Sequence, residues 1–204
     1  MAESSLALPS FISMRVITGK AKGHTLKAPK GLGTRPMLDK VKGSLFSILE
    51  GYGPIRGRVL DLYAGTGSLG IECLSRGASA ADFVEQSAHV CAIISDNLRH
   101  TKLDAISKVH CMPVDRFLHG HRGVGHYDII VMDPPYADPQ IVHTITTVAT
   151  VQVGHPGSLL IVGHSPRVTL EDTYPLLTRI KFRRLGDSCF SIFELDDGAE
   201  TETP

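Results

Sequence analysis

The chain has 204 residues, 42% of them hydrophobic and 21% charged, with 21 Lys and Arg balancing 21 Asp and Glu. That length can bury one real core, and the composition is that of an ordinary globular protein. Apolar stretches are strand-sized and broken by charges, so no transmembrane helix is indicated, and the opening MAESSLALPSF holds an acid and no base, which argues against a secretory or transit signal and for a cytoplasmic protein.

In chain order, residues 1–13 read as a flexible extension ahead of Met14-Arg15-Val16-Ile17. Met14 to Thr18 and His24 to Ala28 then flank Gly19-Lys20-Ala21-Lys22-Gly23, a small hairpin with a basic loop. Asp39 can cap a helix that carries Val41, Leu45, Ile48 and Leu49 on one face and ends near Gly51. From Arg15 to Lys42 there are eight bases, among them Arg15, Lys20, Lys22, Lys27, Arg35 and Lys42, against Asp39 alone. A basic block on a neutral chain suits a polyanionic partner. Residues 14–50 are therefore read as a nucleic-acid-contacting hairpin and helix.

Residues 51–195 alternate strand and helix. Strands fit Arg58 to Leu62, Ala81 to Val84, Val109 to Met112, Tyr127 to Met132 and Ser158 to Val162. Helices fit Leu69 to Arg76, stopped by Gly77, then Ala88 to Arg99, a short piece around Asp115 to Leu118, and Pro139 to Val151. Such alternation predicts a mostly parallel sheet covered by helices on both faces. Arg179 to Leu185 and Cys189 to Leu195, joined at Gly186-Asp187-Ser188, add an antiparallel hairpin. Residues 196–204 continue an acidic, base-free run that favours a solvated, disordered tail. Cys73, Cys91, Cys111 and Cys189 form no C-x-x-C pair and read as buried free thiols. His119, His121 and His126 crowd a Gly-rich loop without the spacing of a metal-ligand set, so no metal is expected.

Two motifs carry chemistry. Asp61-Leu62-Tyr63-Ala64-Gly65-Thr66-Gly67-Ser68-Leu69-Gly70 contains G-x-G-x-x-G between a strand and a helix, and Glu85 closes the next strand about twenty positions later, where a ribose-binding acid belongs. A nucleoside cofactor is implied. Asp61, four residues before Gly65, would oppose a pyrophosphate but suits a cationic ligand such as S-adenosylmethionine. Ala64, Gly65 and Gly67 form the turn against which such a ligand would lie. Asp115, after the third strand of the sheet, either accepts from an adenine amine or caps the short helix that follows.

The second motif is Asp133-Pro134-Pro135-Tyr136, leaving the fourth strand of the sheet at the same edge. Asp133 is forced extended by the proline after it, and the prolines contribute carbonyls without amide hydrogens. An acid and the Pro134 carbonyl offer two acceptors to one NH₂ group, and Tyr136 offers a flat face to a ring. An exocyclic base amine is a poor nucleophile because its lone pair is delocalised. Two acceptors bend it toward tetrahedral geometry, and methyl transfer then depends on holding nitrogen in line with the donor.

With these motifs in place, the sequence resembles the bacterial methyltransferases that modify the N2 amine of a guanine in 16S ribosomal RNA. The resemblance rests on Arg15-Val16-Ile17-Thr18-Gly19 with Gly23, Thr34-Arg35-Pro36 before Asp39-Lys40-Val41, Leu45-Phe46-Ser47-Ile48-Leu49, DLYAGTGSLGIECLSRGA, Asp133-Pro134-Pro135-Tyr136 and Gly186-Asp187-Ser188. It implies a Rossmann-like α/β methyltransferase fold with a seven-stranded, mostly parallel sheet, one strand antiparallel, plus the N-terminal β-hairpin. It also implies S-adenosylmethionine as cofactor with Glu85 on its ribose, a basic hairpin on ribosomal RNA, naked or in a small-subunit assembly intermediate, and a monomer. Met37, Gly43 and Gly163-His164 depart from the family, which commonly has a glutamate after the fifth strand of the sheet. A DNA-adenine or protein-glutamine methyltransferase would share the pocket but carries Asn in N-P-P-Y. A silent RNA-binding module would leave the cofactor pocket without a ligand.

Overall fold

The computed structural model describes residues 14–29, 39–123, 126–135 and 138–198. The expected extension 1–13, together with Arg35 and Tyr136, lies outside them. In chain order the elements are α1 (Asp39–Tyr52), β1 (Arg58–Leu62), α2 (Ser68–Arg76), β2 (Ala80–Glu85), α3 (Ala88–His100), β3 (Ser107–Cys111), α4 (Val114–Gly120), β4 (Tyr127–Met132), α5 (Ile141–Thr150), β5 (Gly154–His164), β6 (Thr173–Tyr174), β7 (Leu177–Leu185) and β8 (Ser188–Leu195). They form one sheet in the order β3-β2-β1-β4-β5-β8-β7-β6. Strands β1 to β5 run parallel, and β8 lies antiparallel between β5 and β7.

This is the expected seven-stranded arrangement with one antiparallel strand, extended by the two-residue β6 on the edge of β7. Two residues are too few to leave a periodic signature in sequence.

Alternation along the strands sorts side chains to two cores. Val59, Phe83, Val131, Ile161 and Phe190 pack under α1, α2 and α3, whereas Leu60, Val84, Ile130, Val162 and Phe193 pack under α4 and α5. The N-terminal block is part of the first core, which takes Met14, Val16, Ala21 and Leu26 with Leu45, Phe46 and Leu49. Its two expected strands reduce to a single bridge, Arg15 with Thr25, flanked by Val16 N–H to the His24 carbonyl (3.0 Å) and Leu26 N–H to the Met14 carbonyl (2.7 Å).

Other differences have local causes. Pro139 and Gln140 form a turn in which Asp138 accepts from Gln140 N–H (2.8 Å), so α5 starts at Ile141. The cap of α4 is Pro113, and Asp115 sits in its first turn instead of capping it. Cys111 is exposed, although Cys73, Cys91 and Cys189 are buried thiols as expected. Asp196, assigned to the acidic tail, is tied to the sheet by its N–H to the Leu176 carbonyl (3.0 Å) and by the Thr178 hydroxyl (2.8 Å). Among the described residues, no helix is long and apolar enough to cross a membrane.

Candidate active site

The chain leaves β1 toward β2 on one side, while β4 lies on the other. Loops after β1 and β4 therefore diverge at the carboxyl edge of the sheet and open a crevice there, the usual ligand position in open α/β sheets. The first loop is the Gly-rich turn. Tyr63, Gly65 and Gly67 take positive φ angles of 56°, 53° and 77°. A Cβ on Gly67 would sit 3.2 to 3.4 Å from Ile94, Ile71 and Phe83, so the turn packs down onto the core. Tyr63 is a bulky residue in the left-handed region, a strained state. Its hydroxyl lies 2.9 Å from Thr144 Oγ1 on α5, and Ala64 N–H donates to the Val84 carbonyl (3.0 Å).

Asp61 is buried beneath this turn. The N-cap of α2, Gly67, has no side chain to offer, and Asp61 Oδ2 accepts from Gly70 N–H (2.8 Å) in its place. One oxygen of this carboxylate thus holds the helix start from below, a role the sequence does not announce. Burial pushes Asp61 well above the usual carboxylate range, and the nearby charges of Asp133 and Glu85 push the same way. Gly70 is where helix and sheet come closest, since a Cβ there would lie 2.4 Å from the Phe83 ring. Glu85 joins two loops, accepting from Gly65 N–H (3.2 Å) and Ser87 N–H (2.9 Å).

A cavity of about 710 Å³ continues from Tyr63 past Gln86, Val114, Asp115, Pro135 and His143. Asp115 stands exposed on its rim, 3.4 Å from His143 Nε2 and 3.3 Å from His119 Nδ1.

Across the crevice, Asp133 follows β4 directly. Its carboxylate packs against Gly163, where a Cβ would fall 2.3 Å from Asp133 Oδ1. Desolvation pushes Asp133 up from 3.8 to about 6. Pro134 is buried and Pro135 exposed, and the Pro135 carbonyl accepts from Asp138 N–H (2.9 Å).

The basic block divides. Lys20 and Lys22 are exposed in the hairpin turn, Arg15 Nε bonds Asp39 (2.8 Å), and Lys27 Nζ bonds Asp96 (3.0 Å). Lys42, the last base of the same run in sequence, is fully buried: its Nζ lies 3.2 Å from Glu72 Oε2 and donates to the Arg15 carbonyl (2.6 Å) and Ser68 Oγ (3.1 Å). Burial lowers its pKa while Glu72 raises it.

Glu72, Ser75 and Asn97 position the hairpin, a role that sequence reasoning missed. Glu72 accepts from Ile17 N–H (2.8 Å), Thr18 N–H (3.0 Å) and Arg76 Nε (2.9 Å), and Ser75 Oγ accepts from Ala21 N–H (2.9 Å). Asn97 accepts from Lys27 N–H (2.8 Å) and donates to the Thr66 carbonyl (2.9 Å) within the Gly-rich turn. The basic hairpin is thus fastened to the helix and turn that form the crevice. A Cβ on Gly19 would come 1.9 Å from the Ser75 carbonyl, so glycine is required for that docking. The one signal in sequence was Glu72 between the apolar Ile71 and Cys73 in α2.

Residues 14–194 match the family model described as conserved hypothetical protein 95. The YlbH protein of Bacillus subtilis is 36% identical over 188 residues, which cover 89% of this chain and 98% of that one. Ribosomal RNA small subunit methyltransferase D of Escherichia coli is 33% identical over 132 residues, 65% of each protein. Among solved structures, a hypothetical protein of Thermus thermophilus, TTHA0928, superimposes with a TM-score of 0.75 at 29% identity, covering 89% of this chain and 99% of that one.

Proposed function

Since this chain belongs to the family described as conserved hypothetical protein 95, we propose that it is an S-adenosylmethionine-dependent ribosomal RNA methyltransferase acting on the N2 amine of a guanine in 16S RNA. The observation that carries this reading is the pair of loops across one crevice: a Gly-rich turn over Asp61 and Glu85 on one side, Asp133 and Pro134 on the other. The relatives that share the chain include one named for methylation of small-subunit ribosomal RNA.

The crevice fits the cofactor by charge. Asp61, Glu85 and Asp133 are close enough that the last two raise the first. Such an acidic site favours a ligand with a sulfonium and an ammonium group, and it opposes the pyrophosphate of a dinucleotide. S-adenosylmethionine supplies the methyl group, carried on a sulfonium that becomes a neutral thioether when the methyl leaves. Glu85 is the carboxylate for the ribose hydroxyls, and Asp115, on the cavity rim, is an acceptor for the adenine amine.

Asp133 and the Pro134 carbonyl accept the two hydrogens of the target amine and turn its lone pair out of the ring plane. Once the N–C bond forms, the nitrogen is cationic and must release a proton. Asp133, ionised above about pH 6, is the base beside it. Tyr136 supplies a stacking face for a base drawn out of its helix. Lys20, Lys22, Lys27, Arg15 and Arg35 are assigned to phosphates. The substrate is ribosomal RNA, naked or in an assembling small subunit. Incubation of the protein with S-adenosylmethionine and deproteinised 16S RNA, followed by nucleoside mass spectrometry, tests the proposal. The expected product is N2-methylguanosine at a single position; a methylated adenosine, or no product with RNA and subunit particles alike, refutes it.

A further inference from the structure

The assigned phosphate contacts all come from the N-terminal block, yet a second basic surface stands on the opposite flank of the crevice. Strand β7 reads LTRIKFRRL, with four bases and no acid. Two of the four are engaged locally: Arg179 with Asp172 and the Leu170 carbonyl (3.1 Å), Arg184 with the Gly186 carbonyl (3.2 Å).

Register relates the other two to the reacting centre. Met132 pairs with Val162, so Asp133 falls beside Gly163, against which its carboxylate packs. Gly163 pairs with Phe190, and Phe190 with Arg183. Asp133, Gly163, Phe190 and Arg183 therefore form one cross-strand row on one face of the sheet. At about 4.8 Å per strand, Arg183 stands roughly 14 Å from Asp133. Lys181, opposite Ile192, is on the same face.

Between them Phe182 points to the other face, 48% exposed, with its ring 6.1 Å from that of His164 at the carboxyl end of β5. Strand β6 pairs only with Leu177 and Thr178, and Arg179 N–H bonds the Asp172 carbonyl (2.7 Å), so among the described residues no strand pairs with β7 on this side beyond Arg179.

We propose, resting on the function above, that β7 is a second RNA contact, with Lys181 and Arg183 on phosphates and Phe182 on a base of the strand flanking the target nucleotide. A base drawn into the crevice carries its neighbours over the sheet edge, where an extended strand meets both faces of β7. Cations at an open edge also discourage sheet-to-sheet pairing, but a half-exposed phenylalanine among them works against that purpose and matches the aromatic and cationic pairing of single-strand RNA sites.

The test is steady-state methylation of deproteinised 16S RNA by wild type, by Lys181→Thr with Arg183→Thr, by Phe182→Ala, and by the conservative Arg183→Lys and Phe182→Tyr. The double variant should raise KM for RNA about ten-fold or more, and make the log–log salt dependence of binding shallower by about two. Its affinity for S-adenosylmethionine should be that of wild type. Phe182→Ala should raise KM about five-fold or more, and both conservative variants should stay near wild type. A double variant with wild-type KM and salt slope overturns the proposal, as does one whose sole change is self-association on size exclusion. Wild type that neither binds nor methylates the RNA, deproteinised or in subunit particles, overturns the functional reading itself, a different result from active wild type with indifferent variants.

Discussion

Asp133→Asn separates the cost of the candidate catalytic carboxylate from its use. Burial raises the Asp133 pKa from 3.8 to about 6, and each unit corresponds to 1.36 kcal/mol, so keeping it ionised in the folded protein costs roughly 3 kcal/mol at pH 7.5. The folded state holds this proton more tightly than the unfolded chain does. Stability from this group is therefore greatest below about pH 4 and falls as pH rises through about 6. Asparagine is neutral throughout. The variant should be more stable than wild type by up to roughly 3 kcal/mol at pH 7.5, a gain that shrinks to about 1 kcal/mol at pH 4.5. Urea unfolding of both proteins at the two pH values measures it. In the same variant methyl transfer should drop, since a carbonyl still accepts from the amine but takes no proton, and wild-type kcat/KM should rise with pH through about 6. An Asn variant that is no more stable at pH 7.5, or whose gain is the same at both pH values, refutes the assignment of a costly buried charge.

Three further outcomes follow from the geometry. Gly163→Ala adds a methyl 2.3 Å from Asp133 Oδ1, so the carboxylate must move; kcat should fall about ten-fold or more, with S-adenosylmethionine affinity by calorimetry unchanged. Glu72→Gln leaves the buried Lys42 ammonium without its carboxylate and should cost about 3–5 kcal/mol in urea unfolding at pH 7, less at pH 10 where the lysine loses its proton. Glu85→Ala should weaken S-adenosylmethionine by about 1–3 kcal/mol, read by calorimetry, with the fold intact by circular dichroism.

What could be read in advance was local. The βα unit around Gly65 and Gly67, the strand before Asp133 and the hairpin at Gly186-Asp187 were visible because spacing and turn chemistry lie within a few residues of each other. Asp61 stood out as a ligand-side carboxylate, but its bond to Gly70 N–H, nine residues away on the next helix, did not, because only the packing of that helix reveals it. Lys42 looked like one more base in a basic run. Its burial depends on Glu72, thirty positions later, and nothing in the spacing marks that pairing. Asn97 and Ser75 read as ordinary helix polar residues until the hairpin is docked on them. Gly163 stood out as a departure from the family, but that its missing side chain makes room for Asp133 required the register of β4 and β5.

The fastening of the basic hairpin also sets an order on biosynthesis. Ile17, Ala21 and Lys27 find their polar partners in Glu72, Ser75 and Asn97, 54 to 70 residues downstream. At translation speeds of roughly 5–20 residues per second, the amino-terminal segment waits roughly 3–14 s for them. During that interval Met14, Val16 and Leu26, which end in the core, have no surface to cover them. A nascent chain stalled before Asn97 should accordingly expose this stretch to proteases and to hydrophobic capture by chaperones, whereas one extended past β3 should protect it.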